Sequence, residues 1–127
     1  MIEVLKALNK WERRQFEYGS VDCCQFAGFI VNEITGRDYL VDFDYNSEDT
    51  ANKIISANGD LIQTASLVLG SPTKNVTGLR DGCPVIVDIK GLQIMGIKLG
   101  LDAVCLLTKG LVRVPVSHAL VGWDTYA

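Results

Sequence analysis

The sequence predicts an α+β fold in a single domain over residues 1–127, with a helical half at 1–70 and a β half at 71–127. Two observations carry this. Up to Gly70 the apolar residues recur at helical spacing between capping residues; beyond it, short runs rich in Val, Ile and Leu alternate with turns. Helices first and a meander afterwards give two layers, with the sheet packed on one apolar helix. A chain of 127 residues is long enough to bury a core without disulfide staples.

Each element has its own signal. Ile2, Leu5, Leu8 and Trp11 recur every three residues and predict one face of a first helix. A second helix is expected over 22–36, with Asp22 as N-cap, Phe26, Phe29, Ile30 and Ile34 on one face, and Gly36 as C-cap. Residues 37–46 read as an irregular, aromatic-rich connection. Ser47 caps a third helix with Glu48 and Asp49 in its first turn, running to Asn58-Gly59. Asp60 caps a short apolar helix over 61–69, closed by Gly70. After a loop at 71–82, strands are expected at 84–89, 92–99, 103–107, 111–116 and 119–126. Together they form a small antiparallel sheet or barrel of about five strands, and barrel-like closure is the favoured form.

Composition excludes several classes of function. The net charge is -3 with no basic run, which argues against a nucleic-acid grip. No segment reaches the ~20 apolar residues of a membrane span, and the N-terminus lacks the pattern of a secretory signal. Synthesis in the cytoplasm is expected. Four cysteines (Cys23, Cys24, Cys83, Cys105) accompany one histidine, with no CxxC pair. That set does not make a common zinc pattern, so no metal and no cofactor is expected.

The residues that bear chemistry lie in Phe16-Glu17-Tyr18-Gly19-Ser20-Val21-Asp22-Cys23-Cys24-Gln25-Phe26-Ala27. An aromatic-glycine turn leads into a cysteine that opens an apolar helix. A thiolate there is stabilised by the positive end of the helix dipole. Nucleophilic catalysis also needs a base within hydrogen-bond reach and donors for the oxyanion. Cys24, about 100° around the helix from Cys23, reads as a small core residue, and Asp22 as a cap.

This arrangement resembles the NlpC-type cell-wall peptidases, a compact papain-like family. Their aromatic-x-aromatic-Gly turn and Asp-Cys-Ser-Gly become Phe16-Glu17-Tyr18-Gly19 and Asp22-Cys23-Cys24-Gln25, so Cys23 falls on the nucleophile. Their Gly-Asp-Leu-Val and His-Val-Gly-Ile strands look like 81–87 and 94–100. The resemblance implies that Ile94 stands in the histidine's place, that Val104-Cys105-Leu106-Leu107 stands where the third polar residue belongs, and that Phe16 replaces an oxyanion-site tyrosine. A general base supplies on the order of 10²–10⁴-fold, so the scaffold reads as degenerate. His118 is the remaining candidate base, in a position the resembled strand order does not bring to Cys23.

A second resemblance covers nearly the whole chain. It is to small phage-encoded proteins with an N-terminal Trp helix, a Phe-x-Trp/Tyr-Gly-x-x-Asp-Cys-Cys-x-Phe-Ala motif, a Thr-Gly helix end, a Gly-Asp-Val-Val strand, an apolar pair before Gly-Ile and a terminal Trp. Here these are Trp11, residues 16–27, Thr35-Gly36, Met95-Gly96-Ile97 and Gly122-Trp123. It implies a virion component of the tail tip or baseplate, made in the host cytoplasm. Its implied partners are other tail-tip and baseplate hub proteins, with several copies in a symmetric assembly.

Two further features concern partners. Tyr39, Phe43 and Tyr45 are candidate partner-binding aromatics, core packing being the competing reading. Asp42-Phe43-Asp44-Tyr45 lacks the glycine and distal glutamate of a calcium loop. The β half has few polar alternations, as strands covered on both faces do; cover of the second face by a partner is one explanation, and a mean hydropathy of +0.20 agrees. The expected function is a structural tail-tip or baseplate subunit on an inactive cysteine-peptidase scaffold. The alternative is an active cysteine peptidase or amidase cutting host peptidoglycan peptides, and a host-encoded binding module is a third class.

Overall fold

The computed structural model describes residues 2–12, 14–37, 39 and 45–126. Among the described residues, four helices precede five strands: α1 (Ile2–Asn9), α2 (Cys23–Thr35), α3 (Glu48–Asn58), α4 (Leu61–Leu69), β1 (Pro84–Ile89), β2 (Leu92–Leu99), β3 (Asp102–Leu107), β4 (Gly110–Pro115) and β5 (Ala119–Gly122). The helix starts follow the capping residues. Asp22, Ser47 and Asp60 each accept a backbone N–H three residues on, from Gln25, Thr50 and Gln63.

The stripe that α1 buries differs from the expected one. Val4, Ala7, Leu8 and Trp11 are buried, whereas Leu5 is 43% exposed. The buried set follows the i, i+3, i+4, i+7 spacing of a true helical face, from which a strict three-residue repeat drifts. On α2 the fully buried residues are Phe26, Ala27, Ile30 and Val31, with Phe29 and Ile34 at the margin of the same core.

The sheet is antiparallel in the order β4-β3-β2-β1-β5. It is open, not a closed barrel: no ladder joins β4 to β5 among the described residues. It is nonetheless strongly curled. β4 and β5 stand four interstrand steps apart, about 19 Å if flat, yet a 3₁₀ turn, Val116–His118, joins them. The four residue steps from Pro115 to Ala119 span at most about 14 Å. β5 also stops at Gly122, short of the expected 126; Trp123 still donates its backbone N–H to Pro84 O at 3.0 Å and sends its Nε1–H to Gly70 O at 2.9 Å.

Curling gives the sheet two covered faces. The outer face (Ile86, Met95, Ile97, Leu99, Val104, Leu106, Val121) shares a core with α1, α2 and α4. The inner face carries Cys83, Val85, Val87, Ala103 and Cys105, all 0% exposed, closed by Val76, Leu79 and Tyr126. The chain therefore covers its own second face, and the strands' apolar content needs no partner. Among the described residues, no helix is long and apolar enough to cross a membrane.

Candidate cysteine site

The site is built on a tight loop before α2. Glu17 and Val21 exchange both backbone hydrogen bonds at 2.7 Å, which forces Tyr18, Gly19 and Ser20 into a turn with Gly19 at φ +88°. A Cβ on Gly19 would stand 2.1 Å from the Tyr45 carbonyl oxygen, so only glycine fits. The buried Asp22 carboxylate then ties three segments. Oδ2 accepts from Gly19 N–H at 2.8 Å, while Oδ1 accepts from Gln25 N–H at 2.8 Å and from the Tyr45 hydroxyl at 2.9 Å.

Cys23 and Cys24 follow as the first two residues of α2, both half-buried, with their sulfurs 4.0 Å apart. Opposite them the β2–β3 ladder stops at Ile97↔Val104, and the Met95 backbone amide lies close enough to Cys23 to favour its thiolate. The hydrogen bond from the Cys24 thiol, and then the Met95 and Cys24 amides, hold Cys23 below the ordinary thiol range against burial and the Asp22 carboxylate. Cys24 is pushed well up, first as donor to Cys23 and then by burial and the neighbouring charge. Of the two, Cys23 is thus the thiol that ionises more readily and Cys24 the one that keeps its proton. The side of α2 bearing Cys24 borders an apolar cavity of about 60 Å³ walled by Ala27, Gly28, Leu61, Ala65 and Met95.

Two further neighbours stood inside the sequence motifs without a role of their own. Tyr18 stacks its ring edge-on against Phe16 at 4.9 Å, and burial, then the charges of Glu48 and Cys23, raise its hydroxyl. The only sequence sign of it is the aromatic repeat Phe16-x-Tyr18. Cys105 is pushed up to about 12 by burial and then by the charge of Cys23, and its sulfur fills the space a side chain at Gly96 would need.

The remaining candidates lie elsewhere. Ile94 is half-buried and packs with the inner cluster that contains Cys105. His118 is exposed at the end of the 3₁₀ turn between β4 and β5, and no imidazole is among the groups that act on Cys23. Tyr39 packs on the core and lines the cavity. Tyr45 is committed to Asp22 through its hydroxyl. Phe43, with Asp42 and Asp44, lies outside the described residues. No group of three or more His, Cys, Asp or Glu able to hold a metal occurs among the described residues.

Fold and site together define an α+β domain that presents a cysteine pair at a helix start beside an open sheet. The family described as domain of unknown function (DUF6950) matches residues 2–125, and the chain belongs to it. Comparison with functionally described proteins finds no match.

Proposed function

We propose that this chain is a structural component of a bacteriophage tail tip or baseplate, built on a papain-like, NlpC-type scaffold that has lost its catalytic base. One observation carries the loss. Cys23 keeps the helix start and the amide donors that favour a thiolate, but the groups acting on it are a thiol, two amides and a carboxylate. Isoleucine fills the position where the resembled peptidases carry histidine, and the single imidazole, His118, is exposed in a distant turn of the sequence. Without a base the acyl-transfer step loses on the order of 10²–10⁴-fold. The tail placement is supported by the resemblance of residues 16–27 and the Thr-Gly and Trp landmarks. Its partners are then other hub proteins of the tail, and the chain is made in the host cytoplasm and carried in the virion. Mass spectrometry of purified virions from cells encoding the chain tests this: stoichiometric recovery supports it, and absence from the particle rejects it.

The lowered Cys23 thiol favours one second reading, an active cysteine peptidase or amidase acting on peptidoglycan stem peptides. That reading predicts turnover of such peptides that Cys23→Ala abolishes.

A further inference from the structure

We propose that Cys23 and Cys24 form a redox-active vicinal dithiol, in which a hydroperoxide oxidises Cys23 and Cys24 resolves the product to a disulfide between the two neighbours. Position singles out this pair. Its sulfurs stand 4.0 Å apart and both residues are half-exposed, whereas Cys83 and Cys105 are 0% exposed. The ionisation of the two is split in the sense the chemistry needs, with Cys23 the more readily ionised thiol and Cys24 the proton-bearing partner.

The steps balance. The Cys23 thiolate attacks one peroxide oxygen; an S–O bond forms, the O–O bond breaks, and the departing oxygen takes a proton and leaves as alcohol or water. Cys24 then attacks the sulfenic sulfur; an S–S bond forms, the S–O bond breaks, and the hydroxyl leaves as water with the Cys24 proton. Two thiols lose two electrons and two protons, and the peroxide is reduced.

The local backbone permits the closure. The N–H groups of Cys23 and Cys24 belong to the helix start, which has no intrahelical acceptors. On the N–H side, reshaping that peptide gives up no helical bond, because the first helical donors are Gln25, to Asp22 Oδ1, and Phe26, to Asp22 O; on the carbonyl side only the terminal bond to Cys23 O is at stake. The cavity bordered by Cys24, Ala27, Gly28 and Met95 leaves room for a sulfur to swing. Neighbouring Cα atoms are about 3.8 Å apart, below the roughly 4.4–6.8 Å of ordinary disulfides. The bond is therefore strained and easily reduced, a switch and not a staple.

Peptide mass analysis after limited hydrogen peroxide, alkylation of remaining thiols and trypsin tests this on the whole folded chain. The tryptic fragment 15–37 holds Cys23 and Cys24 and no other cysteine. The expected result is that this fragment loses two hydrogens, resists alkylation, and recovers both thiols under mild reductant. In Cys24→Ser, Cys23 should stop as a sulfenic acid that dimedone traps. Linkage of fragment 15–37 to fragment 99–109, which bears Cys105, would overturn the proposal. So would sulfinic acid at Cys23 in the wild type, or two unreacted thiols.

Discussion

The Tyr45 hydroxyl donates to Asp22 Oδ1 at 2.9 Å, joining residues 23 positions apart at the start of the cysteine helix. The same carboxylate caps α2 and holds the Gly19 turn, so one side chain sets the geometry around Cys23. Asp22→Ala should cost about 3 kcal/mol, combining a lost cap with two donors left without an acceptor. Tyr45→Phe should cost about 1–2 kcal/mol. Urea unfolding of both single variants and the double variant checks this, and the two losses should be strongly non-additive.

Gly19→Ala should cost about 1–3 kcal/mol, because a positive φ and the Tyr45 carbonyl both exclude a Cβ. Gly36→Ala also meets a positive φ, but in open space, and should cost less, about 1 kcal/mol. Thermal or urea melts of the two variants side by side give the comparison.

Thiol reactivity should rank by environment. With iodoacetamide at neutral pH, Cys23 should react first and Cys24 more slowly, since Cys24 holds its proton. Cys83 and Cys105, both 0% exposed, should react only on unfolding. Timed alkylation read peptide by peptide checks the order.

Stability should fall in alkali. Cys105, pushed up to about 12, and Cys24 keep protons in the folded state that the unfolded chain sheds near 8.5. Above that pH the unfolded state binds fewer protons, so stability declines by about 1.4 kcal/mol per pH unit for each such thiol. Cys23 acts in the opposite sense: its depressed thiol contributes above 8.5 and loses that contribution as pH falls through its folded value. Urea midpoints between pH 8 and 11, windows chosen around ~8.5, should drop in wild type and drop less steeply in Cys105→Ala.

Lys98, 7% exposed on β2, pairs with Asp81 at 3.4 Å, and Asp81 also accepts from Gly100 N–H at 2.7 Å. Asp81→Ala strands a buried ammonium and should cost about 3–5 kcal/mol, whereas Lys98→Met keeps the volume and should be nearly neutral. Denaturant unfolding of the two variants separates these outcomes.

Much of this architecture was legible because its signals are local. Caps at Asp22, Ser47 and Asp60 and glycines at 36, 59 and 70 bracket three helices, and the bounds of β1 and β2 follow from their apolar runs. What was not legible depends on distant partners. Lys98 reads as a solvent-facing strand residue until Asp81 is placed beside it. The seat of the Trp123 indole depends on Gly70 O, 53 positions back. The open but curled sheet depends on a short crossing between its two edges, which strand patterns do not record. At the site, Cys23 was marked by its motif and Cys24 by adjacency, but the Met95 amide comes to Cys23 only when the sheet meets the helix start.

The most direct measurement is the pH profile of Cys23 alkylation, read on fragment 15–37, in wild type and in His118→Ala. With its donors kept and its base lost, the Cys23 thiol should titrate below the ordinary value of about 8.5, with the same profile in both proteins. A profile that moves upward in His118→Ala would show an imidazole acting on Cys23, and would contradict it.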